Sequence, residues 1–161
     1  MNFFEFFGIS ISFFPDQKLV RKKYLENSRK LHPDFAHGKD EVESMELIAL
    51  NNKAYATLIS QDKLIDYILN ELFPSSKKAT LPPEFLMEMM ETNESLMEYK
   101  LMEDDIALGK VKDEVSVRIE EIKQTLKRLI MDFNFSNLDK LAEVRNLDLK
   151  LNYLNRIMAN S

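Results

Sequence analysis

Apolar residues along this chain recur three and four positions apart, the spacing that places side chains on one face of an α-helix. In the first half of the chain this pattern predicts four helices, over 3–9, 17–31, 40–59 and 61–73. Asp16 and Ser60 stand just before two of these helices, where a short polar side chain can cap the first free N–H groups. Gly8 and Ser10 are expected to end the first helix.

A cluster of prolines divides the chain. Three of the five prolines fall within residues 74–83, which is the composition of an interdomain linker. We therefore predict an N-terminal domain over residues 1–73 and a C-terminal domain over residues 84–161.

The pattern beyond the prolines predicts three long helices, over 83–108, 110–131 and 137–158. Gly109 is expected to end the first of them, and Ser136 or Asn137 to cap the last. The second and third helices each carry an apolar stripe, and no segment alternates apolar and polar residues as a strand does. Short connections between such helices favour an antiparallel three-helix bundle, so the fold class is predicted to be all-α.

The helix over 17–31 has two unlike faces. Val20, Tyr24 and Leu31 fall on one face at 100° per residue. The opposite face and its border are basic, with Lys18, Lys22, Lys23, Arg29 and Lys30. The next helix is predicted to pack antiparallel to the apolar face, as a helical hairpin. Its packing face is predicted from spacing to comprise Val42, Met45, Ile48, Ala49, Asn52, Tyr55 and Ile59.

A corner, Leu31-His32-Pro33-Asp34-Phe35, follows the basic helix and forms the tip of this hairpin. Pro33 has no N–H to donate within a helix, and its ring pushes His32 towards extended geometry. The helix is therefore expected to end near Leu31. His32 and Asp34 are left on a partly fixed loop, where they can present a donor and a carboxylate to a partner at little entropic cost. We interpret the corner as a contact site.

The first helix of the bundle has more apolar surface than a small core requires. Phe85, Met89 and Leu96 form one stripe. A second stripe lies about 100° around the helix; it contains Leu86, Met90, Met97 and Leu101 and is flanked by Met87, Glu91 and Glu94. Either both stripes are buried, the second against the N-terminal domain, or the second is an exposed Met-rich binding patch with an acidic rim.

The net charge of -5 conceals two oppositely charged segments. Residues 16–39 hold seven basic and three acidic residues, whereas residues 84–105 hold eight acidic residues and Lys100. Two surfaces of opposite charge suggest two different partners. There is no cysteine, no apolar run long enough to span a bilayer, and no basic, signal-like start, so we expect a cytoplasmic protein without disulfides.

Two other classes of function have weaker support in the sequence. His32, Asp34 and His37 lie close enough in sequence to suggest a metal or acid–base site, but there is no Cys and no Gly-rich phosphate loop. A basic helical hairpin can also bind phosphates, but this one lacks interleaved aromatic residues, and the total charge is negative. We therefore expect neither an enzyme nor a nucleic-acid-binding module.

Taken together, these residues resemble a known family. A basic helix, a His-Pro-Asp corner and a second helix with the segment Asn52-Lys53-Ala54-Tyr55 are similar to a J-domain. The start of the chain, Phe4 to Ile9, and above all Phe85-Leu86-Met87-Glu88-Met89-Met90-Glu91 resemble the HscB-type co-chaperones of iron–sulfur cluster biogenesis. The resemblance covers nearly the whole chain.

This resemblance implies a J-domain that stimulates the ATPase of a DnaK- or HscA-type heat-shock chaperone. It also implies a C-terminal bundle that binds the IscU-type scaffold on which iron–sulfur clusters are assembled. By matching positions, the chaperone surface comprises Lys22, Lys23, Arg29, Lys30, His32, Pro33 and Asp34. The scaffold surface comprises Leu86, Met87, Met90, Glu91, Glu94 and Met97.

For the protein as a whole, the resemblance implies two domains in an L-shaped arrangement and a monomer or weak dimer. No metal, cofactor or membrane partner is expected. An alternative stays open, in which a J-domain co-chaperone serves a different client and the bundle is a structural or oligomerisation module.

Overall fold

The structure is a computed structural model that describes residues 1–35, 40–75 and 80–161. Within these ranges all regular structure is helical, which confirms the prediction of an all-α protein. The chain divides into two compact units, Met1–Ser75 and Ser76–Ser161. The predicted loop over 36–39 and the middle of the predicted linker, 76–79, lie outside the described residues.

The first unit contains four helices and ends in a π-helical segment. The helices are α1 (Phe3–Phe7), α2 (Gln17–Leu31), α3 (Glu41–Leu58) and α4 (Gln61–Tyr67), and the π-helical segment is Ile68–Leu72. Asp16 caps α2 as predicted, because its carboxylate accepts from the N–H groups of Lys18 and Leu19. Ser60 precedes α4, but its side chain makes no capping hydrogen bond.

The short helix α1 is stabilised at both ends. The Asn2 side chain accepts from the Glu5 N–H, and the Glu5 carboxylate accepts from the Asn2 N–H, so the two residues form a capping box. At the other end Gly8 has a φ of 66°, a left-handed conformation that costs glycine little. These caps hold the buried Phe3, Phe4 and Phe7 against the rest of the unit.

Most of the core of the first unit is apolar. The prediction that Val20 and Leu31 face inward from α2 is confirmed. The buried aromatic and aliphatic side chains of α1, the following loop, α4 and the π-helical segment include Phe4, Phe13, Leu64, Ile65, Ile68 and Leu69. Fully burying a side chain of this size stabilises the fold by about 1.5–3 kcal/mol.

The buried face of α3 differs from the prediction. Val42 is 60% exposed and Met45 is 70% exposed, and Ala49, Asn52 and Ile59 of the predicted packing face are also exposed. The residues that α3 buries are Ser44, Asn51, Ala54, Thr57 and Leu58. Ile48 and Tyr55 are half-buried, so the prediction was wrong for the other five positions. It followed the apolar side chains, whereas apart from Leu58 the residues that α3 buries are small or polar.

The second unit contains three long helices, α5 (Pro83–Leu101), α6 (Asp105–Met131) and α7 (Leu141–Asn160). Helix α6 packs against both α5 and α7. The core holds Phe85, Met89, Leu96, Val115, Leu154 and Ile157, with Ile119, Ile122 and Met158 partly buried against it. The predicted three-helix bundle is therefore present.

The turn between α5 and α6 comes earlier than predicted. Helix α5 ends at Leu101, and Glu103 has a φ of 55°, which breaks the helical path. The Asp104 carboxylate then accepts from the Ala107 N–H at 3.0 Å and caps α6. Gly109 therefore lies inside α6. A glycine in the middle of a helix destabilises it by roughly 1 kcal/mol, and the Asp104 N-cap offsets a cost of that size.

The start of α7 was also predicted too early. The Asn134 side chain accepts from the Ser136 N–H at 2.9 Å, and the Asn137 side chain accepts from the Asp139 N–H at 3.0 Å. Both amides therefore close turns within the connection instead of capping a helix. The helix begins only at Leu141.

Candidate functional site

The His-Pro-Asp corner begins where α2 ends. His32 has extended backbone geometry, with φ -62° and ψ 137°, and its N–H donates to the Arg29 carbonyl at 3.3 Å. The Phe35 N–H donates to the His32 carbonyl at 2.9 Å and closes a turn around Pro33 and Asp34. The predictions that Pro33 ends α2 at Leu31 and holds His32 extended are confirmed.

The side chains of His32, Asp34 and Phe35 contact one another and are exposed, whereas Leu31 is buried. The Asp34 N–H donates to Nδ1 of His32 at 3.2 Å, and the Asp34 Oδ2 lies 3.5 Å from the same nitrogen. The Phe35 ring meets the His32 ring edge-on, with centroids 6.2 Å apart. The Asp34 side chain is 80% exposed. The corner thus presents a carboxylate and a phenyl ring whose positions are set locally by one imidazole.

The basic face of α2 is open to solvent. Its exposed cations are Lys18, Arg21, Lys22, Arg29 and Lys30. Lys23 is half-buried and lies 3.9 Å from the Glu26 carboxylate, one helical turn away. Of the predicted cations, Lys22, Arg29 and Lys30 are therefore the ones free to meet an acidic partner.

Sequence reasoning missed an apolar residue within this face. Leu25 is 44% exposed, although the helix has an apolar side where a leucine could be buried. Arg21, Leu25 and Arg29 are spaced four residues apart and so form one row along α2. That spacing is the sequence signal that places Leu25 within the basic face.

The second stripe of α5 is not part of the core of its own unit. Phe85, Met89 and Leu96 are buried, as predicted. Leu86 is 38% exposed, Met97 is 66% exposed, and the other large side chains and acids of the stripe, Met87, Met90, Glu91, Glu94 and Leu101, are exposed as well. We call Leu86, Met87, Met90, Glu91, Glu94 and Met97 the α5 patch.

Contacts with the other two helices fix the rotation of α5. The Arg118 guanidinium forms an ion pair with the Glu88 carboxylate and lies 5.2 Å from the centroid of the Phe85 ring. Lys150 of α7 places its Nζ 5.6 Å from the same ring. With Phe85 held in this way, the α5 patch faces away from the bundle core.

A groove adjoins the C-terminal end of the α5 patch. It has a volume of about 350 Å³ and lies between α5 and the end of α7, where Met97, Leu101 and Ile157 supply its apolar lining. Flexible methionine side chains beside a groove suit an adaptable apolar contact with another protein.

The described residues were also compared with what a metal site or a membrane-spanning helix requires. Within the described ranges, no three His, Asp or Glu side chains are grouped closely enough to hold a metal ion. His37, which the metal alternative required, lies outside the described residues. None of the described helices is long and apolar enough to cross a membrane.

Comparison with known proteins identifies similar chains over nearly the whole length. The model of a family described as the HSCB C-terminal oligomerisation domain matches residues 81–160. A co-chaperone protein HscB homolog of Aliivibrio salmonicida is 30% identical, with 96% of each chain covered. An iron–sulfur cluster co-chaperone protein HscB homolog of Arabidopsis thaliana is 27% identical over 86% of this chain and 55% of the plant protein.

The fold also matches a solved structure. The crystal structure of the human co-chaperone protein HscB aligns with 99% of this chain and 80% of the human chain, with a TM-score of 0.67 and 23% identity. At that identity the match supports the arrangement of helices and not the roles of single residues.

Proposed function

The chain belongs to the HscB family of co-chaperones, and we propose that it couples a DnaK- or HscA-type heat-shock chaperone to an IscU-type iron–sulfur scaffold. In this proposal the first unit stimulates ATP hydrolysis by the chaperone. The second unit delivers the scaffold. The chain acts by binding and supplies no catalytic group, and we place it in the cytoplasm.

The chaperone surface of the proposal consists of the basic face of α2 and the corner. The exposed cations Lys22, Arg29 and Lys30 provide electrostatic attraction to an acidic surface, which raises the association rate. The Asp34 carboxylate is exposed beside the His32 imidazole, so it is available to a basic group of the chaperone. Leu25 adds an apolar contact in the middle of the cations.

The scaffold surface of the proposal is the α5 patch. Its apolar side chains provide the contact area that drives association, and the exposed carboxylates of Glu91 and Glu94 provide orientation at the rim. Since Phe85 and Met89 already fill the core, binding would bury the α5 patch without disturbing the bundle.

One observation carries the proposal: the two surfaces are both exposed, and they lie on different compact units. Two partners can therefore bind at once without competing for the same residues. We further infer that the units act as separate domains joined near residues 74–83.

Self-association through the bundle is the second candidate, because the matched family model is described as an oligomerisation domain. In that case the α5 patch or the groove beside it would be covered by another copy of the chain. Sedimentation of the chain alone, over a range of concentrations, distinguishes this candidate from a monomer that binds a scaffold.

The test is ATP turnover by the chaperone in four mixtures, with and without the chain and with and without the scaffold. We expect the chain alone to raise turnover, and the chain with the scaffold to raise it further than either does alone. A chain that binds the scaffold but leaves turnover unchanged would contradict the role of the first unit. Stimulation that is indifferent to the scaffold would instead favour a different client.

A further inference from the structure

The interface between α2 and α3 has an unusual composition for the inside of a small domain. Ser44, Asn51 and Thr57 are the only polar residues that are buried in the described part of the chain, and all three belong to α3. Facing them, α2 buries only Val20 and Leu31, which lie near its two ends. The middle of the hairpin is therefore joined by polar groups.

Asn51 is the centre of this polar contact. It is only 2% exposed, and its amide nitrogen donates to the Tyr24 carbonyl at 3.2 Å and to the Ser28 hydroxyl at 3.1 Å. Its amide oxygen accepts from the Asn27 side chain at 3.2 Å. The Ser28 hydroxyl in turn donates to the Tyr24 carbonyl at 2.8 Å. One α3 side chain thus bonds to three residues of α2, Tyr24, Asn27 and Ser28.

A second contact nearby depends on the same alignment of the helices. The rings of Tyr24 and Tyr55 are stacked, with centroids 4.3 Å apart. The Tyr24 hydroxyl donates to the Asn52 side chain at 3.1 Å. Tyr24 therefore contacts α3 through its backbone, its ring and its hydroxyl.

These bonds are specific to one axial register of the two helices. A slide of α3 by one turn is a displacement of about 5.4 Å, and a hydrogen bond does not survive a change of that size. Small side chains such as Ala54 would tolerate a slide more easily than Asn51, whose amide would be left buried and unbonded. A buried polar residue at a helix interface is known to select register at some cost in stability.

We propose that Asn51 is a positioning residue, which locks the register of α3 on α2 and through it the placement of the His-Pro-Asp corner. The corner is bound directly to the end of α2, and only residues 36–39 separate Phe35 from Asp40, which caps α3. The His32 N–H donates to the carbonyl of Arg29, the residue that follows Ser28, so the register in which Asn51 holds α2 sets where the corner lies relative to α3. The proposal rests on the proposed function, because its effect is read as chaperone stimulation, but the register itself can be measured without any partner.

The first measurement is a distance distribution in the full chain. The chain has no cysteine, so Lys18→Cys on α2 and Glu46→Cys on α3, both at exposed positions, take two spin labels without competing sites. We expect one narrow distance in the otherwise wild-type protein. Asn51→Leu, which keeps the branching of the side chain and removes its hydrogen bonds, is expected to broaden or shift the distribution by up to the ~5.4 Å of one turn.

The second measurement is chaperone ATP turnover at saturating concentration of the chain. Asn51→Leu is expected to lower the maximal stimulation by roughly tenfold, since a misplacement of about 1 Å can cost as much as 10²-fold. The half-saturating concentration should change little, because the basic face of α2 is intact. Leu58→Val is the matched control: it weakens apolar packing on the same face of α3 and should leave both the distance and the maximal stimulation as in the wild type.

A pair of variants at Ser28 keeps the test decisive if Asn51→Leu does not fold. Ser28→Ala removes the hydroxyl that bonds to Asn51, and Ser28→Thr retains it at a half-buried position. We expect Ser28→Ala to broaden the distance and reduce stimulation, and Ser28→Thr to restore both.

A distance distribution that is equally narrow in the wild type, Asn51→Leu and Ser28→Ala would overturn the proposal. So would a broadened distribution with wild-type stimulation, because the register would then have no bearing on the corner. If the wild-type chain fails to stimulate the chaperone at all, the proposed function fails, while the label distances still decide whether Asn51 sets the register.

Discussion

The backbone N–H of Asp34 donates a hydrogen bond to Nδ1 of His32 over 3.2 Å. The Oδ2 atom of Asp34 lies 3.5 Å from the same nitrogen, so both the backbone and the side chain of Asp34 approach this edge of the imidazole. The turn of the corner is completed by the Phe35 N–H, which donates to the His32 carbonyl. Neither backbone bond uses the Asp34 carboxylate, and this side chain is 80% exposed, so a partner can reach it.

This relationship predicts the behaviour of Asp34→Asn. The substitution keeps the backbone N–H and nearly the same shape, so the corner should retain its conformation, and the free energy of unfolding should change by less than about 0.5 kcal/mol. The loss of the negative charge should abolish stimulation of the chaperone ATPase. Circular dichroism melts and ATP turnover check the two parts separately. Full stimulation by this variant would exclude the carboxylate from the mechanism.

Reversal of charge on α2 should weaken the chaperone contact. Lys22 and Arg29 are exposed on one face, so replacing both by Glu is expected to raise the half-saturating concentration for stimulation by roughly tenfold or more at low salt. Added salt should weaken stimulation by the wild type much more than binding of the scaffold to the apolar α5 patch. Reversal of Lys123 and Lys127, which are exposed on α6, is the control and should leave stimulation unchanged. If both charge reversals raised the half-saturating concentration equally, the assignment of the chaperone surface to α2 would be wrong.

Truncation of the α5 patch should separate binding from stability. Leu86, Met90 and Met97 are exposed, so replacing all three by Ala should leave the melting temperature close to that of the wild type, because Ala favours the helix. Scaffold affinity should collapse, since each apolar anchor contributes on the order of 1–2 kcal/mol.

The control for this experiment lies on the buried stripe of α5. Met89 is fully buried, and Met89→Ala should lower the free energy of unfolding by roughly 2–5 kcal/mol through the cavity that it opens. A triple variant that melts as early as Met89→Ala would mean that the α5 patch belongs to a packed interface.

Tyr67 should make the stability of the first unit depend on alkaline pH. Burial raises the pKa of the Tyr67 hydroxyl above its ordinary value of 10.0, although the hydrogen bond that the hydroxyl oxygen accepts from the Phe3 N–H acts in the opposite direction. The folded state therefore holds the phenolic proton more tightly than the unfolded state. This contribution to stability is complete below pH 10.0 and is lost as the pH rises through the folded-state pKa.

Tyr67→Phe provides the measurement. At neutral pH the variant should be less stable by about 1 kcal/mol, because the Phe3 N–H loses its acceptor. Urea unfolding at a series of pH values should find that the difference between the two proteins shrinks as the pH rises above 10.0. A difference that stays constant over that range would contradict the assignment of the alkaline transition to Tyr67.

Much of this protein was determined by its sequence alone. Asp16 and Pro33 set the two ends of α2, because a capping carboxylate and a residue without an N–H act locally, whatever the helix packs against. The excess apolar stripe of α5 was also evident, since a small bundle has room for only one such stripe in its core. The His-Pro-Asp corner and the α5 patch could therefore be located before the structure was known.

Only the tertiary structure decided which side of α3 is buried and where α5 ends. Periodicity identifies the residues that share a face, but burial depends on what the neighbouring helix offers. Opposite Asn51, α2 offers a carbonyl, a hydroxyl and an amide, so a polar face is buried while Met45 remains in solvent. After α5, the Asp104 side chain caps α6, and Gly109 lies inside α6 instead of ending α5. Each of these two local signals is worth about 1 kcal/mol, so the packing of whole helices decides which of them sets the helix boundary.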